Sequence, residues 1–132
     1  YLYGLNHYQK SDLINENYKK LKYDGGVALV EGSIDALSFA EIGVPALAIL
    51  GSALSDFQNT LIKRLNPAYV VLCFDNDKAG KMAGVSVCDK LDLPIMVGRY
   101  KDGWETDPAA LTKEQRMELF SEAEMWFPLE DE

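Results

Sequence analysis

The sequence predicts an α/β fold with a mostly parallel sheet of four strands and helices on both faces. Short apolar runs alternate with longer segments of helical periodicity, and the connections between them are brief. The runs are apolar almost throughout, as in parallel strands that are covered on both faces. The 132 residues, of which 48% are hydrophobic, are enough for one domain with a core of its own.

The chain divides into three predicted parts within a single domain. Residues 1–25 are expected to form a lead-in segment and a helix that starts near Ser11, because apolar residues recur there at helical spacing. Residues 26–110 are expected to form the α/β core, and residues 111–132 a C-terminal helix and an acidic tail. Because the sequence starts at Tyr1 without Met, we expect it to be a fragment of a larger protein.

The first half of the predicted core contains two strands and two helices. An apolar run predicts the first strand at 27–30, and Ser33 is expected to cap a helix that ends before Gly43. The second strand is expected at 44–50, where a proline is tolerated because it stands at the start of the strand. Ser55 is expected to cap the next helix, which an Asn-Pro pair ends.

The second half of the core repeats this alternation. The third strand is expected at 70–74, followed by a helix at 78–91 with small residues on the side that packs closely. The fourth strand is expected at 93–98, followed by a polar loop. A final helix is expected to begin at Asp107 and to include Met125.

Charge and residue types exclude several classes of function. The net charge of −8 argues against a chain that grips nucleic acid by itself, because phosphate contacts need Lys and Arg. Cys73 and Cys88 lack metal-ligand spacing and are expected to be reduced, buried thiols of a cytoplasmic protein. No apolar run reaches the length of a membrane span, so no membrane partner is expected.

Acidic side chains follow the predicted strands. Glu31 follows the first strand, Asp75 and Asp77 follow the third, and Asp107 comes after the fourth. Parallel strands point their carboxyl ends to one edge of the sheet, where the ligands of α/β folds bind. An Asp-x-Asp motif alone fits a pair of solvated loop aspartates as well as it fits a metal site. Carboxylates that meet at one edge, however, repel one another unless a cation lies between them. The acids at several strand ends therefore predict a Mg²⁺ site with oxygen ligands.

Two motifs around these acids resemble those of the Toprim domain, which is shared by primases, topoisomerases, small nucleases and recombination proteins. Residues 30–35 (VEGSID) resemble its glutamate motif, and residues 74–80 (FDNDKAG) resemble its Asp-x-Asp motif. The form of both motifs, the LGSALS turn at 50–55 and the Tyr-Gly-Leu at 3–5 are similar to those of bacterial and phage DNA primases. The resemblance covers about residues 2–110.

This resemblance implies roles for individual acids. Glu31 is implied to be a metal ligand or the acid/base group of nucleotidyl transfer. Asp75 and Asp77 are implied to hold catalytic Mg²⁺ or Mn²⁺. Asp35 is implied to support Glu31 or a metal-bound water, although an acid in the first turn of a helix is ordinarily only a dipole stabiliser. Asp107 is implied to be a further metal ligand.

Other positions are implied to approach substrate, and one departs from the family pattern. Primases carry Asp-Pro-Asp where this chain has Asp107, Pro108 and Ala109, so the second acid is missing. The lysines that follow the Asp-x-Asp motif could touch triphosphate or template, and they are equally consistent with a solvated helix surface. The positions implied to approach substrate or nucleic acid are Gly32, Gly51, Ser52, Lys78 and Lys81.

The implied function is that of the metal-binding, catalytic Toprim domain of a DNA primase. Such a domain would synthesise short RNA primers on single-stranded DNA by two-metal nucleotidyl transfer. Its implied partners are ribonucleoside triphosphates, a DNA template reached through neighbouring domains, and a replicative helicase. The isolated domain is expected to be weak or inactive, and its expected location is the cytoplasm.

Three alternatives stay open at this point to different degrees. A Toprim nuclease would use the same metals with water as the nucleophile. A non-catalytic Toprim module would bind metal or a partner protein, and the missing acid at Ala109 leaves room for it. A receiver domain is disfavoured, because the lone phospho-acceptor Asp and the late-strand Lys that it needs cannot be placed in this sequence.

Overall fold

A computed structural model describes residues 25–51 and 53–126 of the chain. These residues form one sheet, and its four longest strands are parallel. The predicted α/β class with a mostly parallel sheet is confirmed, and a short antiparallel strand adds a fifth member. The strands are β1 (Gly26–Val30), β2 (Ala46–Ala48), β3 (Tyr69–Leu72), β4 (Ile95–Val97) and β5 (Glu124–Met125). Their order across the sheet is β2-β1-β3-β4-β5.

Helices connect the parallel strands, as the alternating sequence pattern predicts. One helix follows each of the first three strands, and the fourth helix comes before β5. The helices are α1 (Ser33–Ala40), α2 (Asp56–Leu65), α3 (Lys78–Lys90) and α4 (Lys113–Ser121), with a 3-10 turn at Pro108–Ala110.

The sheet is covered on both faces because its strands are apolar on both sides. Every residue of β1 is buried. Residues that alternate along β1 and β3 belong to two separate core clusters. One cluster lies under α2 and α3 and includes Leu29, Ile62, Leu72 and Val87. The other lies under α1 and α4 and includes Val30, Phe39, Val71, Leu119 and Phe120.

The predicted final helix is wrong in its extent. Instead of one helix from Asp107 through Met125, the chain makes the 3-10 turn and then restarts as α4. The restart has a local cause, because the Thr112 hydroxyl accepts a hydrogen bond from the Gln115 N–H and the Gln115 side chain accepts one from the Thr112 N–H. Met125 lies in β5, a strand that the sequence did not predict, and pairs with Met96 of β4.

The predicted helix starts are confirmed in one case and wrong in another. Ser55 caps α2 in a capping box with Gln58, as its sequence position suggests. Ser33 does not cap α1, because Gly32 is the N-cap residue and no side chain caps that helix. Asp77 caps α3 by accepting a hydrogen bond from the Gly80 N–H at 2.8 Å.

Several sequence predictions fall on residues that the structure does not describe. The helix near Ser11, the Tyr-Gly-Leu at 3–5, Ser52 and the acidic tail lie outside the described residues. The division of the whole chain into three parts of one domain therefore stays a prediction. Within residues 25–51 and 53–126, no helix is long and apolar enough to span a bilayer.

Both cysteines are free thiols. Cys73 is buried directly after β3, and Cys88 is half-buried on α3. Burial raises the pKa of both thiols, that of Cys88 to about 11. Both therefore stay protonated near neutral pH and act as small packing groups.

Candidate metal centre at the carboxyl edge of the sheet

Two neighbouring central strands bring Glu31 and Asp75 to the same edge. Glu31 comes directly after β1, and Asp75 lies three residues beyond the end of β3. β1 and β3 are paired in parallel with Leu29 opposite Leu72. The Cys73 N–H donates to the Leu29 carbonyl at 2.8 Å, so the segments that follow the two strands remain hydrogen-bonded close to the acids. The strand order therefore places two carboxylates side by side.

These two carboxylates are poorly satisfied where they lie. Glu31 Oε1 and Asp75 Oδ1 are buried and accept no hydrogen bond from another group within the described part of the chain, and the two carboxyls lie against each other instead. Burial, and then the charge and contact of Asp75, raise the pKa of Glu31 from 4.5 to about 7. Burial is also the largest cause that raises the pKa of Asp75. The pair therefore strongly disfavours full ionisation unless a positive charge is close.

Asp35 is buried and connects two elements of the edge. Its Oδ1 accepts a hydrogen bond from the Ala109 N–H at 3.1 Å, and its carboxyl also accepts one from the Gly32 N–H. Burial raises the pKa of Asp35 to about 6, although the two hydrogen bonds act in the opposite direction. Ala109 occupies the position where primases carry a second acid, and in this chain its backbone N–H is a hydrogen-bond donor to Asp35. Asp35 thus links α1 to the turn that follows Asp107.

Asp107 reaches the edge on the loop that follows β4. Its side chain makes no capping hydrogen bond to the 3-10 turn that starts at Pro108. The Asn76 N–H donates to the Thr106 carbonyl at 2.6 Å, which ties this loop to the residue after Asp75. The charge of Asp107 contributes to the raised pKa values of Asp75 and Asp35. The structure thus places Asp107 within electrostatic reach of Asp75 and Asp35.

Asp77 is exposed and is partly occupied by its capping role. Its carboxylate accepts the Gly80 N–H, and its charge adds to the rise in the pKa of Glu31 and of Asp75. A glycine is required at position 80 for steric reasons, because a Cβ there would overlap the Asp75 carbonyl oxygen. The glycine of the Asp-x-Asp motif therefore lets α3 start directly against the backbone of Asp75.

The positions implied to approach substrate are less defined. Gly32 has an extended backbone with φ −117°, which any residue adopts. Gly51 is exposed with nothing within 4 Å of where a Cβ would lie. Lys78 and Lys81 are exposed in the first turn of α3. Ser52 is outside the described residues, so the role of this loop stays a prediction.

Tyr100 belongs to the site and was missed by the sequence analysis. Its hydroxyl is buried without a hydrogen-bond partner among residues 25–51 and 53–126. Burial, and then the nearby Cys73, Asp75 and Asp35, raise the pKa of this phenol well above its usual range. The hydroxyl therefore stays protonated near neutral pH and can donate a hydrogen bond close to the acids. No sequence signal distinguishes Tyr100 from other residues of a polar loop.

Arg116 is the second residue that the sequence analysis missed. It is a buried residue of α4 whose Nη1 donates to the Leu111 carbonyl at 2.9 Å and to the Pro108 carbonyl at 3.4 Å. Its Nη2 lies 3.7 Å from a carboxylate oxygen of Glu41. Arg116 thus holds the turn next to Asp107. An arginine between apolar positions of a predicted helix was the available signal.

The carboxylate oxygens at this edge are suitable ligands for a divalent cation. Fewer of them are arranged around one point than the sequence predicts. No group of three or more His, Cys, Asp and Glu side chains in residues 25–51 and 53–126 is already arranged to hold a metal. Mg²⁺ commonly binds through one or two carboxylates and completes its coordination with water and substrate phosphates. The unpartnered oxygens of Glu31 and Asp75 provide such a pair. The full set of five acids as ligands stays a prediction.

The comparison with known families identifies the class of protein. The Toprim-like family matches residues 28–107, which include the acids of the edge from Glu31 to Asp107. The chain therefore belongs to the Toprim-like family. Its similar proteins include DNA primases of several bacteria, and the resemblance predicted from the sequence is confirmed.

Two curated primases give the extent of this similarity. The chain is 45% identical over 100 residues to the DNA primase of Thermotoga maritima, an alignment that covers 68% of this chain and 17% of that primase. It is 41% identical over 73 residues to the DNA primase of Campylobacter jejuni, covering 54% of this chain and 11% of that primase. The matched part is thus less than a fifth of either primase.

Solved structures agree on the fold. The Aquifex aeolicus primase (zinc-binding and RNA polymerase domains) matches with a TM-score of 0.65 and 27% identity, covering 83% of this chain and 28% of that one. A DnaG primase catalytic domain bound to single-stranded DNA matches with a TM-score of 0.70, covering 94% of this chain and 39% of that one. At 24% identity, the second match shows the fold alone.

Proposed function

We propose that this chain is the catalytic Toprim domain of a DNA primase, which extends short RNA primers on single-stranded DNA by metal-dependent nucleotidyl transfer. The observation that carries this proposal is the pair of buried, unpartnered oxygens of Glu31 and Asp75 at adjacent strand ends. A fold gains nothing from two such acids unless a cation or substrate uses them. The similarity to bacterial primases supports the reaction class.

The proposed metal is Mg²⁺ or Mn²⁺, held first by Glu31 and Asp75. Asp77 keeps free acceptor capacity on the solvent side, and Asp107 and Asp35 add negative charge from the adjoining loop and from α1. When bound, two such cations supply charge neutralisation for an attacking 3′-hydroxyl and a departing pyrophosphate. Two-metal catalysis with all five acids as ligands is part of the proposal.

The protein's own residues position these groups in the proposed reaction. Asp35 and Arg116 hold the turn beside Asp107, and Gly80 lets Asp77 and α3 approach Asp75. Phosphoryl transfer depends mostly on positioning and charge, so a nucleophilic side chain is not needed. Glu31 is the candidate acid/base group as well as a ligand.

The proposed partners follow from the reaction. Ribonucleoside triphosphates are the substrates, and the template is single-stranded DNA. The net charge of −8 disfavours tight template binding by this chain alone, so neighbouring basic domains are proposed to hold the strand. A replicative helicase is a proposed further partner, and residues 1–132 are proposed to act as one Toprim domain.

The experiment is a primer-synthesis assay on the protein that carries this chain. It uses single-stranded DNA, labelled ribonucleotides and Mg²⁺ or Mn²⁺, with a plasmid-nicking reaction beside it. Asp75→Asn is expected to lower RNA synthesis by at least about 100-fold, because it removes a ligand of the cation that would stabilise the transition state. Asp92→Asn is the matched control, an exposed acid beyond the other end of α3.

The outcomes separate the proposal from its rivals. Short RNA products that disappear in Asp75→Asn and persist in Asp92→Asn support the primase. Nicking without RNA synthesis would assign the chain to the Toprim nucleases. A folded protein with neither activity would leave the non-catalytic module, for which the lack of three preassembled ligands in the described residues is the supporting observation.

A further inference from the structure

A cleft of about 350 Å³ opens on the α3 side of the sheet and ends beside Asp75. One wall is the face of α3 that carries Gly80, Lys81 and Gly84. The floor is apolar and includes Leu72 and Phe74. This volume and this mixture of apolar floor and few polar groups are typical of small-molecule sites.

The two ends of the cleft differ in chemistry because of strand direction. At the carboxyl end of β3 and β4 the cleft is lined by Asp75, Lys81 and Arg99. At the opposite end it is lined by Cys88 and Trp126. The Trp126 N–H donates to the carbonyl of Ile95, the first residue of β4, at 3.0 Å, which places it away from the acids. The cleft is therefore charged at one end and aromatic at the other.

The two cations at the charged end are available to a ligand. Lys81 makes no ion pair with another described residue. Arg99 Nε lies 3.4 Å from a carboxylate oxygen of Glu124, and both side chains are exposed. An exposed pair of this kind contributes little to stability, so the guanidinium can turn to a stronger anion. Both groups are suited to phosphate.

The middle of the cleft is open because glycines line it. A Cβ at Gly84 would meet nothing closer than 3.8 Å, where it would contact Leu72. Steric need for a glycine is therefore absent at this position, unlike at Gly80. Alanine is also the better helix former by about 0.5–1 kcal/mol. The glycine costs stability and keeps space next to the floor.

We propose that this cleft binds one free mononucleotide, with its phosphates at Lys81 and Arg99 and its base against Trp126. The inference rests on the proposed function in one respect, since the phosphates would lie next to the Asp75 metal site. In this arrangement the base would stack on Trp126 inside the cleft, so the proposed ligand is a free nucleotide. Base stacking on an aromatic side chain is tolerant of base identity.

Fluorescence of Trp126 tests the proposal directly. The chain has two tryptophans, so Trp104→Phe leaves Trp126 as the reporter. ATP is expected to quench its emission in a saturable way, and adenosine or inorganic triphosphate alone to bind at least about tenfold more weakly. Quenching by adenosine as strong as by ATP would remove the phosphate end, and no saturable quenching would overturn the proposal.

Variants in this background locate the binding. Gly84→Leu fills the cleft and is expected to weaken ATP binding at least about tenfold. Lys81→Gln is expected to weaken it severalfold, and the exposed Lys63→Gln on α2 serves as the charge-matched control. If Gly84→Leu does not fold, Gly84→Ala, whose Cβ makes only ordinary contacts, is expected to weaken binding measurably. Unchanged affinity in the folded Gly84 variant would overturn the proposal.

The metal and the cleft can fail separately. A Mn²⁺ titration without nucleotide reports on the acid pair through Glu31→Gln and Asp75→Asn. Mn²⁺ binding that needs these acids, together with ATP affinity unaffected by filling the cleft, would keep the metal site and reject the cleft. ATP binding that needs Gly84 and Lys81, with Mn²⁺ affinity unchanged in both acid variants, would keep the cleft and reject the metal site.

Discussion

Two regions where strands of the same sheet end differ in whether their buried polar side chains have hydrogen-bond partners. Between β2 and α2, Gln58 is buried, and its Nε2 donates to the Ile49 carbonyl at 2.7 Å. Its Oε1 accepts the Ser55 N–H at 3.0 Å, and the Ser55 hydroxyl accepts the Gln58 N–H at 3.1 Å. At this junction a buried amide finds a partner at each end, so the loop is locally stable.

At the carboxyl ends of β1 and β3 the balance is reversed. Glu31 and Asp75 each keep a buried oxygen without a donor within the part of the chain that the structure describes, and their charges oppose each other. The difference shows which polar groups serve the fold and which do not. A group that destabilises the metal-free fold is best explained by a ligand that it meets in function.

The largest expected effect is at Gly80, where the acidic edge meets α3. Gly80→Ala places a Cβ onto the Asp75 carbonyl oxygen, so the helix or the acid loop must move. We expect the free energy of unfolding to fall by about 3 kcal/mol, measured by urea denaturation. Gly84→Ala, one turn along, is the control and is expected to stabilise by about 0.5–1 kcal/mol. Equal effects at the two glycines would contradict the steric explanation.

The next effect is at the satisfied junction. Gln58→Leu removes the donor to Ile49 and the acceptor for Ser55, so a buried backbone carbonyl and a partly buried N–H lose their partners. We expect a loss of about 2 kcal/mol in urea denaturation. Gln115→Leu removes the same capping-box side chain at α4, where the hydrogen bond is exposed, and is expected to cost less than about 1 kcal/mol. A cost at Gln115 as large as at Gln58 would show that capping, and not burial, decides.

Removing a polar group at the acidic edge is expected to have the opposite sign. Asp75→Asn relieves repulsion with Glu31 and is expected to raise the unfolding free energy of the metal-free chain by about 1 kcal/mol. Asp77→Asn is expected to stabilise less, because Asp77 is exposed and solvent screens its repulsion with the other acids, although Asn can keep the capping bond to Gly80. Both variants are expected to lose the rise in Tm that Mn²⁺ gives the parent chain. An unchanged Mn²⁺ response in both would reject the metal assignment.

The fold was predictable because its signals are local and repeated. Apolar runs such as 27–30 predict the buried strands, and the cap at Ser55 lies where its sequence position suggests. The last segment was not predictable in the same way. Thr112 restarts the helix, and a strand of two residues at Glu124–Met125 exists only because β4 offers it a partner.

The site was predictable where the topology alone positions a residue. Glu31 and Asp75 follow strands, so parallel pairing brings them together. Asp35 as a link to Ala109, and the buried Tyr100 hydroxyl, depend on contacts between segments distant in sequence. No periodicity or motif encodes such contacts, because each depends on how loops pack after the sheet has formed.

The smallest effect, and the finest test of the comparison, is the pH dependence of stability. Glu31 has a pKa of 4.5 when free and about 7 in the metal-free fold, and for Asp35 the values are 3.8 and about 6. Between each pair of values the folded state binds more protons than the unfolded state, so stability falls as pH rises. The loss begins near the free values and is complete above about pH 7.

Because these groups are partly solvated, we expect the metal-free chain to be only about 1 kcal/mol more stable at pH 5 than at pH 8. Thermal melts in EDTA measure it, and Glu31→Gln is expected to flatten the profile. Gln58→Leu is the control, because it should lower the whole curve without changing its slope. A slope unchanged by Glu31→Gln would mean that acids elsewhere in the chain set the pH dependence. Mn²⁺ should reverse the trend in the parent chain, since ionised carboxylates bind the cation better as the pH rises.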